Sequence, residues 1–430
     1  MKILHTSDWH LGQRFFNKSR KAEHQAFLDW LLSVIREQQV NAVIVAGDVF
    51  DTGAPPSYAR EMYNRFIVAI SQLNCTLLVL GGNHDSVAML NESKPLVACL
   101  NTHVIADVSS GDGAESNQLI ELKNSAGETG AIVCAIPFIR PRDVLISRAG
   151  ESGLQKQQAL GEAIKQHYHQ QYQAALALRE AKQLDVPIIA TGHLTALGVS
   201  QSDSVRDIYI GSLDGFAADG FPPADYIALG HIHRPQKVAK CEHIRYSGSP
   251  IPLSFDELNT TKQVVMVAFE SCPRLSLLTA APMITPVEVP IFQKLAVIKG
   301  DLASIKQQLK AFDNVEADQP VWLCVEVESQ EFLADLPQRI QELTDGLAVE
   351  VLQLRRARNT AHQTLYQLEQ ETLAELTPQD VFSKRLALEH FESEEEKARL
   401  ERITIRFRET VGEVVGEVVA EVETPEFQLR

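Results

Sequence analysis

The sequence predicts an α/β fold, and three observations support that prediction. From residue 1 to about residue 270, short runs rich in β-branched residues or leucine alternate with helix-like segments. Polar clusters directly follow five of the strand-like runs, as they do around a site at the edge of a sheet. The pattern then changes twice, near residue 280 and after Arg355. These changes divide the 430 residues into a large first domain and two smaller parts.

The first domain, residues 1–275, contains seven predicted strands and three long predicted helices. The strands are Lys2–His5, Ala42–Ala46, Thr76–Leu80, Ala131–Ile136, Ile188–Thr191, Tyr226–Leu229 and Val264–Phe269. The helices are Ala22–Gln38, Pro56–Leu73 and Gln155–Lys182. In the first helix Phe27, Leu31 and Ile35 share one face, so we expect this helix to cover a sheet.

The second part, residues 285–354, is predicted to be a small α+β domain. Four prolines between residues 271 and 290 indicate a linker before it. The pattern that follows is strand, helix, strand, helix, strand, over Leu295–Ile298, Leu302–Phe312, Val321–Val327, Phe332–Leu343 and Val349–Leu354. Its length suits an accessory domain.

The third part, residues 355–420, is highly charged and favours helix. Thr377 and Pro378 together are typical of a helix start. Apolar residues between Leu365 and Phe391 form a stripe that little else in this segment could cover. The stripe either binds a partner, the interpretation we favour, or packs on the rest of the chain. Residues 421–430 are predicted to be disordered.

Composition excludes several classes of protein. Hydrophobic residues make up 45% and charged residues 22%, as in soluble globular proteins. The longest apolar runs are far shorter than the roughly 20 residues that span a bilayer, and no signal peptide is recognisable, so a cytoplasmic location is expected. Six cysteines without a CxxC pair favour buried free thiols over disulfides or zinc. The net charge of −16 counts against nucleic acid as a substrate unless basic residues concentrate locally or a partner supplies them.

The five polar clusters carry the candidate chemistry. In chain order they are Asp8-Trp9-His10, Gly47-Asp48-Val49-Phe50-Asp51, Gly82-Asn83-His84-Asp85, Gly192-His193 and Gly230-His231-Ile232-His233. Each alone is more often a turn or a solvated pair, but residues beyond the carboxyl ends of neighbouring strands converge on one crevice. Carboxylates, imidazoles and one carboxamide without cysteine suit manganese, iron or zinc. The sequence therefore predicts a metal site.

These five motifs, in this order, resemble the calcineurin-like metallophosphoesterase superfamily over residues 5–233. The resemblance implies a four-layer β-sandwich flanked by helices and two divalent metal ions. One ion would be held by Asp8, His10, Asp48 and His233, and the other by Asp48, Asn83, His193 and His231, so that Asp48 bridges them.

The same resemblance implies roles for three residues that are not ligands. His84 would contact the phosphate and assist the leaving group, and the Asp51 carboxylate would orient His84. An imidazole beside a carboxylate is a suitable general acid near neutral pH. Asp85 is expected to hold its loop, although a supporting role at the metals remains open.

Longer stretches resemble one branch of the superfamily, the Mre-type repair nucleases. They are His5–Gly12, Ala46–Asp51, Asn83–Ser86, Val205–Gly211 and Tyr246–Pro250, and the likeness extends over nearly all of residues 1–410, with 285–354 as the capping domain. It implies a manganese-dependent DNA phosphodiesterase, acting as a 3′ to 5′ exonuclease on duplex ends and as an endonuclease on single strands and hairpins, in DNA repair, replication and recombination. The implied partner is a coiled-coil ATPase of the SMC-like class bound by residues 355–420, and the implied homodimer would use the helix Pro56–Leu73.

Three alternatives remain open at the level of sequence. A protein phosphatase is disfavoured because Gly47–Gly53 lacks the arginine-glycine that follows this motif in that class. A small-molecule nucleotidase or cyclic-nucleotide phosphodiesterase would leave the accessory parts unexplained, and a non-catalytic scaffold would not need His84 or Asp51. DNA binding would use basic residues near the crevice. The candidates are Arg14, Lys18, Arg20, Lys21, Arg140, Arg142, Arg234 and Lys237. The alternative is that these residues are scattered surface charge.

Overall fold

Two six-stranded sheets packed face to face form the centre of the protein. The computed structural model describes residues 1–108, 118–145, 153–205, 215–270, 281–313, 319–328 and 335–356. Helices cover the outer face of each sheet, which makes four layers. The predicted α/β fold with a four-layer sandwich is confirmed.

The first sheet is built around four parallel strands. In spatial order its strands are Met283–Glu288, Gln263–Ala268, Lys2–Thr6, Ala42–Val45, Thr76–Leu80 and Thr102–Ile105. The first two run antiparallel to their neighbours. Nearly every side chain of the central strands is buried, because helices cover one face and the second sheet covers the other.

The second sheet also has six strands, four of them parallel, but its antiparallel strands lie one at each edge. In spatial order its strands are Gln236–Lys237, Ile244–Tyr246, Tyr226–Gly230, Ile188–His193, Thr129–Cys134 and Leu119–Lys123. The four inner strands are parallel and the two edge strands antiparallel. A buried polar contact joins the two sheets: the ring of His5 hydrogen-bonds the hydroxyl of Tyr226 at 2.9 Å and the carbonyl of Leu229 at 3.1 Å.

Helices and short turns complete the sandwich. The α-helices are Lys21–Gln38, Ser57–Ser71, Val87–Glu92, Lys94–Ala98, Pro141–Val144 and Gly153–Ala181. Two 3-10 turns, Ala218–Gly220 and Phe255–Glu257, and a hairpin of Arg14–Phe15 with Lys18–Ser19 lie among the loops. Within the described ranges no helix is long and apolar enough to cross a membrane. The five described cysteines are free; Cys99 is exposed, whereas Cys75, Cys134 and Cys324 are buried.

The capping domain is a small parallel sheet with helices. Its strands are Leu295–Gly300, Val321–Val327 and Val349–Arg356, and its helices are Leu302–Leu309, the 3-10 turn Lys310–Phe312, and Leu336–Thr344. The hairpin of the first domain contacts this sheet. Phe15 stacks on Trp322 with ring centroids 5.9 Å apart, and Lys18 Nζ lies 2.8 Å from a carboxylate oxygen of Glu350.

The boundary between the two domains differs from the prediction. Residues 283–288 are a strand that pairs with Gln263–Ala268, so the first sheet continues beyond residue 275. The four prolines between residues 271 and 290 predict a linker, but an edge strand tolerates a proline such as Pro286 because one side of its backbone needs no partner. The predicted helical part, residues 355–420, lies almost wholly outside the described residues, as do residues 421–430.

Candidate metal centre

The structure brings the seven predicted ligands together at the carboxyl ends of parallel strands from both sheets. Asp8, His10 and His233 offer ligand atoms that all lie within 4.8 Å of one another, as do Asp48, His193 and His231. The carboxamide oxygen of Asn83 lies 2.8 Å from His193 Nε2 and 3.1 Å from His231 Nδ1.

Asp48 lies between the two groups of ligand atoms. Its Oδ2 is 3.6 Å from His10 Nε2 in the first group and 3.3 Å from His193 Nε2 in the second. This geometry is compatible with two ions that share the Asp48 carboxylate.

The chemistry of the donor set fits divalent metal ions. Each of the two three-residue groups combines a carboxylate with imidazoles, and all six side chains are buried. Both ring nitrogens of His10 are buried without a hydrogen-bond partner among the described residues; the nearest carboxylate oxygens are at 3.3 and 3.6 Å. Buried polar atoms are normally satisfied, so a metal ligand is a suitable role for this side chain.

Four of the seven predicted ligands have a strained backbone. Asp8, His10, Asp48 and His231 have φ values of 54°, 46°, 50° and 93°. A positive φ is uncommon outside glycine and costs on the order of 1–3 kcal/mol, so strained residues tend to occur at functional sites. Here the strained conformations turn successive side chains toward one crevice.

Two glycines before the clusters make room for the ligands. A Cβ atom at Gly47, whose φ is +92°, would lie 2.2 Å from His193 Nδ1, and one at Gly82 would lie 2.1 Å from Asp48 Oδ1. Any larger residue at either position would displace a predicted ligand.

Asp48 and His193 form a buried charge pair when no metal is bound. Burial alone would raise the pKa of Asp48, but the adjacent imidazoles, His193 first, hold it well below its ordinary value. Burial alone would lower the pKa of His193, but Asp48 raises it to about 9. His193 therefore carries a proton at neutral pH in the metal-free protein, and a metal that binds this ring must displace that proton.

The contact between Asp51 and His84 differs from the predicted one. His84 Nδ1 donates to the backbone carbonyl of Asp51 at 2.8 Å, whereas the Asp51 carboxylate lies 3.3 Å from His10 Nδ1. Asp51 thus orients His84 through its main chain, because the loop after the second strand passes directly beside the ring.

Asp85 holds the loop, as predicted. Its carboxylate accepts hydrogen bonds from the backbone N–H groups of Val49, Phe50 and Gly82 at 2.9 to 3.1 Å. Burial, together with the nearby Asp48 carboxylate, raises the pKa of Asp85 to about 6. The residue thereby ties the Asp48 loop to the Asn83 loop.

Several supporting residues were not anticipated from the sequence. The Ser7 hydroxyl donates to Asp8 Oδ2 at 2.5 Å, and the backbone N–H of His231 donates to Asp8 Oδ1 at 2.9 Å. Ser204 and Glu257 lie behind His233. No pattern marks Ser204 or Glu257, because both are more than 20 positions away from His233 in the chain.

A cleft of about 310 Å³ opens beside His84. It is lined by His10, Asp51 and His233 of the metal centre, by Phe15 and Phe16 of the hairpin, and by Gln353 and Arg355 of the capping domain. Phe16 is 43% exposed. The capping domain therefore forms one wall of the candidate active site.

The predicted set of basic residues needs correction. Arg20 and Arg140 are buried, and Arg20 binds Glu23 and the carbonyl of Pro252 instead of facing the cleft. Arg234 and Lys237 are paired with Asp256 and Glu242. Arg14 lines the cleft, and so does Arg355, which was not among the candidates.

Two family models match the chain. The calcineurin-like phosphoesterase model matches residues 1–235, more than half of the chain. A model of the SbcD C-terminal family, described as the type 5 capsule protein repressor C-terminal domain, matches residues 291–390.

Curated relatives match over almost the whole length. The chain is 52% identical over 413 residues to SbcD, a subunit of the nuclease SbcCD, from Escherichia coli K12; the match covers 96% of this chain and 99% of that protein. The SbcD proteins of Rhodobacter capsulatus and Bacillus subtilis are 36% and 33% identical, each over 62% of this chain and 66% of the relative.

Proposed function

The chain belongs to the calcineurin-like phosphoesterases and, within them, to the SbcD family of nuclease subunits, and from this premise we propose that it is the DNA nuclease subunit of an SbcCD complex. It is a metal-dependent phosphodiesterase. The finer proposal is that it uses two Mn²⁺ ions and acts as a 3′ to 5′ exonuclease on double strands and as an endonuclease on single strands and hairpins. These activities would serve DNA repair, replication and recombination.

The observation that carries this proposal is the position of His84 between the ligand cluster and the cleft. Two divalent ions held by the seven ligands would supply Lewis-acid chemistry to a phosphodiester and to the attacking water. His84 shares a three-residue group with His10 and Asp48 and is fixed by the Asp51 carbonyl. When the ring is protonated on both nitrogens, Nδ1–H stays bonded to the Asp51 carbonyl and Nε2–H can give its proton to the leaving oxygen, which is the step the ions do not perform; the ring then becomes neutral.

The walls of the cleft favour a polynucleotide over a mononucleotide. Arg14 lines the cleft and can contact a backbone phosphate, whereas Arg355, which also lines it, is paired with Glu326; the exposed ring of Phe16 offers a face on which a base can stack. These groups come from the hairpin and from the capping domain, so the binding surface extends well beyond the metals. The cleft is also lined by Asp51, Asp203 and Asp256, so the negative net charge of the chain extends to this surface and a bound divalent ion or the partner would have to offset it.

The proposed substrate can be tested directly. Purified protein with Mn²⁺ is expected to cleave a labelled hairpin DNA and to leave cyclic nucleotides intact under the same conditions. The products, separated by denaturing electrophoresis, would also show the polarity of digestion. Hydrolysis of the cyclic nucleotides alone would establish the small-molecule alternative.

The proposed partner is SbcC, the ATPase subunit, within an SbcC2-SbcD2 heterotetramer. Residues 355–420 would bind its coiled coil through the apolar stripe predicted from the sequence, which lies outside the described residues. A homodimer contact is proposed at the helix Ser57–Ser71. In support, Val68 on this helix and the nearby Leu96 are exposed at 46% and 71% and line a shallow groove.

Truncation after Ala357 is expected to abolish co-purification with SbcC and to preserve Mn²⁺-dependent cleavage of single strands. All the strands of the capping domain and all the predicted ligands remain in this shortened chain. Affinity capture with tagged SbcC and a single-strand cleavage assay measure the two outcomes. Continued capture of the shortened chain would place the SbcC contact elsewhere.

A further inference from the structure

A buried polar network lies behind His233, on the side away from the cleft. Glu257 ends the 3-10 turn Phe255–Glu257, and Lys262 precedes the strand Gln263–Ala268. Their exposed fractions are 0% and 6%. A charge that is this deeply buried is costly unless it is paired and hydrogen-bonded, so the network requires an explanation.

Lys262 links the Glu257 carboxylate to the main chain at His233, one of the predicted ligands. Its ammonium nitrogen lies 2.5 Å from Glu257 Oε2, 2.9 Å from the carbonyl of His233 and 2.8 Å from Ser249 Oγ. An ammonium group has three donors, and here each has an acceptor. The Lys262 ammonium group therefore binds both the backbone carbonyl of His233 and the Glu257 carboxylate.

The other carboxylate oxygen of Glu257 is connected to the ring of His233 by hydrogen bonds through the Ser204 hydroxyl. Ser204 Oγ lies 2.6 Å from His233 Nδ1 and donates to Glu257 Oε1, and Nδ1 itself is 3.5 Å from that oxygen. An ionised carboxylate only accepts hydrogen bonds, so the Ser204 hydrogen points to Glu257. The Ser204 oxygen is then free to accept the N–H of His233 Nδ1, which leaves an unprotonated Nε2.

This ordered chain of hydrogen bonds assigns a role to Glu257 and Lys262. Resting on the function proposed above, we propose that they are positioning residues that hold His233 in the tautomer and orientation needed to bind the first metal ion. Groups that hydrogen-bond the outer nitrogen of a metal-binding histidine commonly contribute 10–100-fold to metal affinity. The alternative is a buried ion pair that serves only the stability of the fold.

Mn²⁺ binding and thermal unfolding of three variants separate these two roles. Glu257→Gln and Lys262→Met are each expected to weaken one of the two Mn²⁺ sites by about 10–100-fold, measured by calorimetric titration of the purified full-length chain. Each single change also leaves a buried charge without its partner, so the melting temperature falls. In the double variant no charge remains unpaired, and we expect the melting temperature to recover while the Mn²⁺ affinity stays low.

Two further variants serve as comparison and control. Ser204→Ala interrupts the chain of hydrogen bonds without leaving an unpaired buried charge, and it should weaken the same Mn²⁺ site in a folded protein. Glu23→Gln breaks another buried ion pair, with Arg20, that contacts no predicted ligand. This control should lower the melting temperature and leave both Mn²⁺ affinities unchanged.

The outcomes distinguish this inference from the proposed function. If Glu257→Gln and Ser204→Ala bind both ions as tightly as the unmodified chain, or if the double variant recovers affinity together with stability, the ion pair is only structural. If the unmodified chain binds no Mn²⁺ at all, the proposed function itself fails, whatever the variants do.

Discussion

Replacement of His84 by alanine is expected to reduce DNA cleavage by about 10²- to 10⁴-fold and to leave both Mn²⁺ ions bound. The magnitude is that of a lost general acid. His84 contacts the metal-centre loops through its backbone N–H, which donates to Asp48 Oδ1 at 2.9 Å, and alanine retains that hydrogen bond. The imidazole is the part that is lost, and with it the proton for the leaving oxygen.

Cleavage of a labelled hairpin and metal content per chain measure the two halves of this prediction. His169→Ala is a suitable control, because His169 lies on the outer helix Gly153–Ala181, away from the ligands. Full cleavage by His84→Ala would remove His84 from the mechanism. Loss of metal would instead make His84 a structural part of the centre. An unmodified chain that binds metal but cleaves no phosphodiester would favour the scaffold alternative.

The sequence predicted which side chains lie together at the candidate site better than it predicted the contacts around them. Each metal-centre cluster stands directly after a strand, so strand patterns and residue types together place the ligands at one edge of the sandwich. Local patterns carry this information because the parallel strands are almost entirely buried and read as continuous apolar runs.

The predictions that failed depended on contacts between distant parts of the chain. The edge strand Met283–Glu288 is mostly exposed and contains a proline, so its pairing partner alone identifies it as a strand. Arg20 was a candidate phosphate-binding residue, but it is buried and donates to the carbonyl of Pro252, which is distant in the chain, as well as binding the nearby Glu23. The main-chain contact from Asp51 to His84 likewise depends on loop geometry that residue identity does not encode.

Asp48→Asn is expected to have the largest effect of any single change, because Asp48 is the predicted ligand assigned to both ions and its carboxylate lies near both groups of ligand atoms. The carboxamide keeps the size of the side chain and can still accept the backbone N–H of His84. It removes the negative charge that lies within 3.6 Å of both His10 and His193. We therefore expect both Mn²⁺ ions to be lost and cleavage to fall by at least about 10³-fold, since the metal contribution is worth several kcal/mol.

Comparison with Asn83→Ala tests whether Asp48 bridges the two groups. The carboxamide of Asn83 hydrogen-bonds two predicted ligands of the second ion, His193 and His231. Loss of this side chain should therefore weaken binding of the second ion and leave binding of the first unchanged. Metal content measured at several Mn²⁺ concentrations should fall from two ions to one in Asn83→Ala and from two to none in Asp48→Asn. If Asp48→Asn retained one tightly bound ion, Asp48 would belong to a single site. The two metal groups would then act independently.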